Sequence, residues 1–172
     1  MSPIAITVIG HDRPGIIAET TRVLADLGVN LEDSTMTRLR GHFAMMLICS
    51  GAVSADEVER ALAGLAADGT LRVSAREVAA EEPLAEAGRP YLLTVHGGDR
   101  LGIVAALTRA VADAGGNITD LTTRLSGELY VVVAEVDLPA GTDPDRLGTE
   151  LKQVSRELDV DVTFGPQEAD VL

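Results

Sequence analysis

Tryptophan is absent, and only two tyrosines and two phenylalanines occur in the 172 residues. The stacking platforms of single-strand binders are therefore nearly missing, and the core must be built from Val, Leu, Ile, Ala and Met. Lysine occurs once, at Lys152, and 14 cationic residues face 27 acidic ones, for a formal net charge of -13. A phosphate backbone is repelled by such a chain, so no direct binding to DNA or RNA is expected. The single cysteine, Cys49, excludes an intrachain disulfide framework and a cysteine-based metal site. It lies in an apolar run, which predicts an inert buried thiol. No apolar run approaches the ~18 residues that span a bilayer. Met1 to Gly10 is too short and too weakly charged for a signal peptide, so a soluble cytoplasmic chain without a membrane partner is expected.

Catalytic signatures are equally scarce. Three scattered histidines and no His/Glu cluster make neither a triad nor a zinc site. Neither G-x-x-x-x-G-K-[ST] nor G-x-G-x-x-G occurs. We therefore expect no enzyme, no catalytic residue, no metal and no cofactor.

What the chain does contain is a repeat. Asp12 to Asp33, DRPGIIAETTRVLADLGVNLED, matches Asp99 to Asp120, DRLGIVAALTRAVADAGGNITD, at 12 of 22 positions with an offset of 87. The match resumes with Thr37-Arg38-Leu39-Arg40-Gly41 against Thr123-Arg124-Leu125-Ser126-Gly127, now offset by 86. That places one extra residue between Asp33 and Thr37. A strand presents its side chains with period two, so a β-bulge peculiar to the first copy is expected there.

Each copy reads β-α-β-β-α-β. Ile4 to Ile9 and Tyr91 to Val95 are β-rich. Ile16, Ile17, Val23, Leu24 and Leu27 follow at helical spacing, with Pro14 suited to a first helical turn and Gly28 and Gly115 to helix stops. Strands flank Gly41 and Gly127 as in hairpins. Ser54 to Glu57 has capping-box spacing, and Thr142-Asp143-Pro144 opens the corresponding helix. Leu71 to Val78 and Val160 to Phe164 close the copies. The acidic, Pro/Gly-punctuated stretch between them reads as a linker. The expected architecture is α+β: two ferredoxin-like βαββαβ domains, 1–80 and 91–172, joined by 81–90, with antiparallel sheets and helices on one face. The runs Phe43 to Cys49 and Leu129 to Ala134 are apolar without alternation. Residues of both parities thus call for burial, which predicts that the sheets pair within the chain or across a homodimer.

The loops His11-Asp12-Arg13-Pro14-Gly15 and Gly98-Asp99-Arg100-Leu101-Gly102 lead into helix N-termini. Free N–H groups and the positive dipole end favour a carboxylate there. Gly15 and Gly102 permit close approach to the backbone. Asn30 and Asn117 open the second strands, and an amide suits both ammonium and carboxylate. His11 and His96 end first strands at non-equivalent positions. Each residue has a structural reading beside the ligand reading: Asp12 and Asp99 as first-turn stabilisers, the glycines as packing contacts, the asparagines as turn residues and the histidines as surface.

D-R-P-G-I at the first turn, followed by G-x-N-[LI]-x-D, resembles the ACT domain. Asn30 to Met46, NLEDSTMTRLRGHFAMM, resembles the tandem-ACT group that includes the glycine cleavage system transcriptional repressor. The resemblance implies a regulator that binds a small amino acid, glycine or serine, between paired ACT units. Its effect would pass through a protein partner such as a transcription factor. The site would comprise Asp12 to Gly15 and Asn30, with Asp99 to Gly102 and Asn117. Leu101 departs from the usual proline, so Asn30 and Asn117 are expected to differ in importance. An assembly module without a ligand, or a regulatory subunit of an amino-acid metabolic enzyme, are the alternatives.

Overall fold

The structure, a computed structural model, describes residues 2–80 and 88–167. It divides into two units, Met1–Glu82 and Pro83–Leu172. The first comprises β1 (Ile4–His11), α1 (Ile16–Asp26), β2 (Asn30–Leu39), β3 (His42–Ser50), α2 (Ala55–Leu62) and β4 (Leu71–Glu77), with a 3-10 turn over Ala63–Ala66. The second comprises β5 (Arg89–Gly98), α3 (Ile103–Asp113), β6 (Asn117–Ser126), β7 (Leu129–Leu138), α4 (Pro144–Leu158) and β8 (Val160–Pro166). The sheets are antiparallel, ordered β2-β3-β1-β4 and β6-β7-β5-β8. Two ferredoxin-like βαββαβ units are therefore present, as the sequence pattern requires.

Most of the expected linker, 81–87, lies outside the described residues. Arg89 and Pro90, assigned to it from composition, instead begin β5. Proline is tolerated there because Pro90 is paired in register only on its β7 side, with Asp137. Its carbonyl still accepts from the Gln167 N–H at 3.0 Å.

Alternation along the central strands builds each core. Ile4, Ile6 and Val8 of β1 are buried with Phe43, Met45, Leu47 and Cys49 of β3, Ile16 and Leu24 of α1, and Val58 and Leu62 of α2. Leu93, Val95, Val132, Ala134, Val136, Leu107, Leu147 and Leu151 form the second core. Helix ends follow local chemistry. Gly28 (φ 69°) stops α1: its N–H reaches Ala25 O while Val29 N–H reaches Leu24 O, a Schellman motif repeated at Gly115 and Gly116. Ser54 and Glu57 close a reciprocal capping box, and Asp143 caps α4 through Asp145 and Arg146 N–H groups.

Three sequence expectations need correction. Pro14 precedes α1 rather than lying in its first turn, because Gly15 is the N-cap at φ 90°, a conformation that cannot continue a helix backwards. The bulge is not peculiar to the first copy. Register shifts occur between Leu31 and Asp33 and between Ile118 and Asp120, at equivalent positions. No residue is inserted either: both ladders then run seven residues to a two-residue turn, Asp33 to Leu39 and Asp120 to Ser126. The TRLRG and TRLSG strings match one step out of structural register because the turns differ. Arg40 and Gly41 both take positive φ (50° and 84°), as a type I′ turn demands, with glycine second. Of Gly127 and Glu128, Gly127 alone takes positive φ (62°), so glycine comes first. The turn glycine moved by one position and carried the apparent alignment with it.

On the sheet face away from the helices, Ala5, Thr7 and Ile9 stand opposite Ile48, Met46 and Ala44. Ile9 and Met46 are exposed, at 55% and 42%. Burial along β3 therefore alternates although its hydropathy does not.

Cys49 is fully buried, and desolvation, with a smaller contribution from the Glu32 charge, raises its thiol pKa. The reactive thiolate is disfavoured twice over. We expect negligible reaction with Ellman's reagent in the folded protein and one thiol per chain in denaturant; fast native reaction would refute the burial of β3.

Candidate functional site

The loop between β1 and α1 is anchored at its β1 end. The His11 N–H donates to Thr70 O and the Asp12 N–H to Gly41 O, both at 3.0 Å. Gly15 then caps α1 without any side-chain hydrogen bond to the first-turn N–H groups. Those groups have no intrahelical acceptor, so the helix start is open to an anion. A groove of about 400 Å³ lies against it, lined by Asp12, Arg13, Gly15, Ile16, Ile17 and Ala18 on one side and by Met36 of β2 and Phe43 of β3 on the other. Its lining is largely apolar, and an ion pair stands beside it. There Arg38 Nη1 stands 3.4 Å from Asp12 Oδ2. Arg13 Nη2 lies 3.5 Å from both Glu19 Oε2 and Leu65 O, and its Nε is buried without a partner among the described residues.

Asp12, Arg13 and Gly15 thus line one groove, with Pro14 shaping its loop. His11 turns elsewhere: its ring stacks on His42 at 5.5 Å between centroids. Asn30 lies at the opposite end of β2, paired with Ser50, whereas Asp12 meets Arg38 near that strand's finish. Eight residues at ~3.3 Å each put roughly 25 Å between them. Sequence reasoning missed Met36, Arg38 and Phe43. Arg38 sat within the repeated TRL string, but only the fold carries it back to Asp12.

In the second unit Gly102 (φ 91°) is likewise an N-cap without side-chain capping. Arg100 pairs with Asp159 at 2.7 Å, and Leu101 is fully exposed. The structural counterpart of Arg38 is Leu125, so the Asp12–Arg38 bridge has no equivalent at Asp99. Asn117 opens β6 opposite Asp137, again far from its own loop. His96 stands between Val131 and Asp161 in the sheet, 3.5 Å from the Asp161 carboxylate, on the face away from the helices. Among the described residues no group of three His, Cys, Asp or Glu could hold a metal ion, and no helix is long and apolar enough to cross a membrane.

The βαββαβ order defines a ferredoxin-like module, here present twice, and in the first copy an uncapped helix start stands beside an apolar groove. The chain belongs to the ACT domain family, whose model matches residues 2–76 and 89–165. ACT domains bind amino acids and act in regulation. A UPF0237 protein of Streptococcus mutans is 45% identical over 51 residues, which cover 30% of this chain and 58% of that protein. One from Methanopyrus kandleri is 48% identical over 48 residues, covering 28% and 53%. The chain thus spans a little over half the length of these two curated relatives. Among solved structures, an unknown protein from Galdieria sulphuraria superposes with a TM-score of 0.80 at 29% identity, over 96% of this chain and 98% of that one. A candidate glycine cleavage system transcriptional repressor superposes at 0.70 and 20% identity, over 95% and 96%, a likeness of fold.

Proposed function

We propose that this protein is a non-catalytic sensor of a small amino acid, glycine or serine, that acts on a protein partner such as a transcription factor. The observation that carries the reading is the uncapped start of α1 three residues from Asp12, facing one groove. A ligand carboxylate takes the free N–H groups, and its ammonium takes Asp12 in place of Arg38. Asn30 and Asn117 join such a site only if a second unit supplies the loop, because each is remote from the loop of its own unit. Pairing of units, within the chain or in a homodimer, is therefore part of the proposal. The exposed Ile9 and Met46 support it, since burying such side chains is favourable by roughly 1.5–3 kcal/mol each. The chain is taken to work in the cytoplasm.

The test is an amide-resolved NMR titration with glycine and with serine. Saturable shifts at Asp12 to Ala18 are expected. Shifts confined to other parts of the chain would remove this groove from the account. A partner carries any transcriptional effect, because the charge of -13 opposes DNA. We expect no electrophoretic shift of duplex DNA at micromolar protein and physiological salt, and a salt-sensitive shift would refute this.

A further inference from the structure

The second unit has a groove beside a strand-edge N–H whose counterpart in the first unit is taken by a glutamate side chain. In the first unit Glu59, five residues after the α2 N-cap, places Oε2 2.8 Å from the Ala75 N–H on the open edge of β4. In the second, the residue five after the α4 N-cap is Gly148. Ala75 pairs with Ile6 and Phe164 pairs with the equivalent Leu93, so Phe164 stands where Ala75 does. Its N–H also points to the open edge. The Gln167 N–H bonds to Pro90 O at 3.0 Å, and an antiparallel ladder alternates, so pair 163/94 is hydrogen-bonded and pair 164/93 is not. Here, however, no side chain among the described residues accepts from it.

What remains is a groove of about 350 Å³ between α4 and β8. Its wall contains the stacked rings of Tyr91 and Phe164, 4.9 Å apart at an interplanar angle of 15°. Half of the chain's four Phe and Tyr residues are thus in one place. Lys152, the single lysine, lines the groove one turn beyond Gly148. Asp145, two turns nearer the helix start than Lys152, lines its other end. A cation on one side of Gly148, an N–H without an acceptor among the described residues facing it, rings along the wall and a carboxylate on the other side specify one chemistry.

We propose that this groove binds a small monocarboxylate with an aromatic or branched apolar body. The carboxylate accepts from the Phe164 N–H, as Glu59 does from Ala75 in the first unit, and pairs with Lys152. The apolar body lies on Tyr91 and Phe164. Asp145 repels a second carboxylate. The site is separate from the groove at α1 and does not depend on it.

Phenylacetate is the probe, titrated into the full chain and followed by amide shifts. Saturable shifts at Gly148, Phe164 and Gly165 are expected in the millimolar range, with 2-phenylethanol at least about tenfold weaker because it lacks the charge. Gly148→Glu restores the first unit's carboxylate. A Cβ there meets only Phe164 Cδ1 at 3.9 Å, and glutamate suits a helix better than glycine, so the variant is expected to fold with an undiminished Tm. It should weaken phenylacetate at least about tenfold, and Lys152→Gln should weaken it about threefold or more. Absence of saturable shifts at those amides, equal binding of 2-phenylethanol, or unchanged affinity in a folded Gly148→Glu protein would overturn the proposal.

Discussion

Gly10→Ala is expected to destabilise the first unit by about 3 kcal/mol, the upper part of the range for overpacking a filled site. A Cβ at Gly10 would collide with Thr70 O and lie 2.8 Å from Leu71 Cα. Both are backbone atoms of the adjoining strand segment, and Thr70 O already accepts the His11 N–H. Neither can retreat without opening the β1–β4 ladder. Gly97 is the structural counterpart of Gly10, but a Cβ there meets the Val160 side chain, at 2.8 Å from Cγ1 and 3.1 Å from Cβ, before backbone at 3.1 Å. A side chain yields more readily, so Gly97→Ala should cost only about 1 kcal/mol. Denaturant melts of the two variants check the ranking. Equal losses would mean that the strand contact at Gly10 is looser than described.

Asp12→Ala should weaken glycine or serine binding at least about tenfold, since a charge-assisted hydrogen bond is worth roughly 1.5–3 kcal/mol. Arg38→Leu should act in the opposite direction. Arg38 competes with a ligand ammonium for Asp12, and the second unit already holds Leu125 at that position. The bridge is exposed on its arginine side, so its loss should tighten binding only about two- to fivefold, the range of an ordinary surface pair. Calorimetry on both variants measures the pair of effects. Tighter binding in Asp12→Ala, or a large loss in Arg38→Leu, would mean that the ammonium sits elsewhere.

Local chemistry made much of the fold legible. The repeated DRxGI string, the glycines at 28 and 115 and the capping box at Ser54 each act within a few residues, and each marks the boundary it should. Turn chemistry misled where it is subtle. A shift of glycine from the second to the first turn position mimicked an insertion between Asp33 and Thr37, whereas the ladders keep one register and share their bulge. The candidate site was legible on the loop side only. Asp12, Arg13 and Gly15 are consecutive enough to read, but Met36 and Phe43 reach the groove, and Arg38 reaches Asp12, through strand pairing that no short window contains. Asn30 and the loop flank the same helix in sequence, and so stand at opposite ends of a βαβ unit.

Calorimetric titration of the full chain with each of the twenty amino acids tests the central claim most directly. Saturable binding of glycine or serine, weakened by Asp12→Ala and not by Gly148→Glu, is the result predicted. No heat of binding from any amino acid, with the protein folded throughout, would contradict a sensing role.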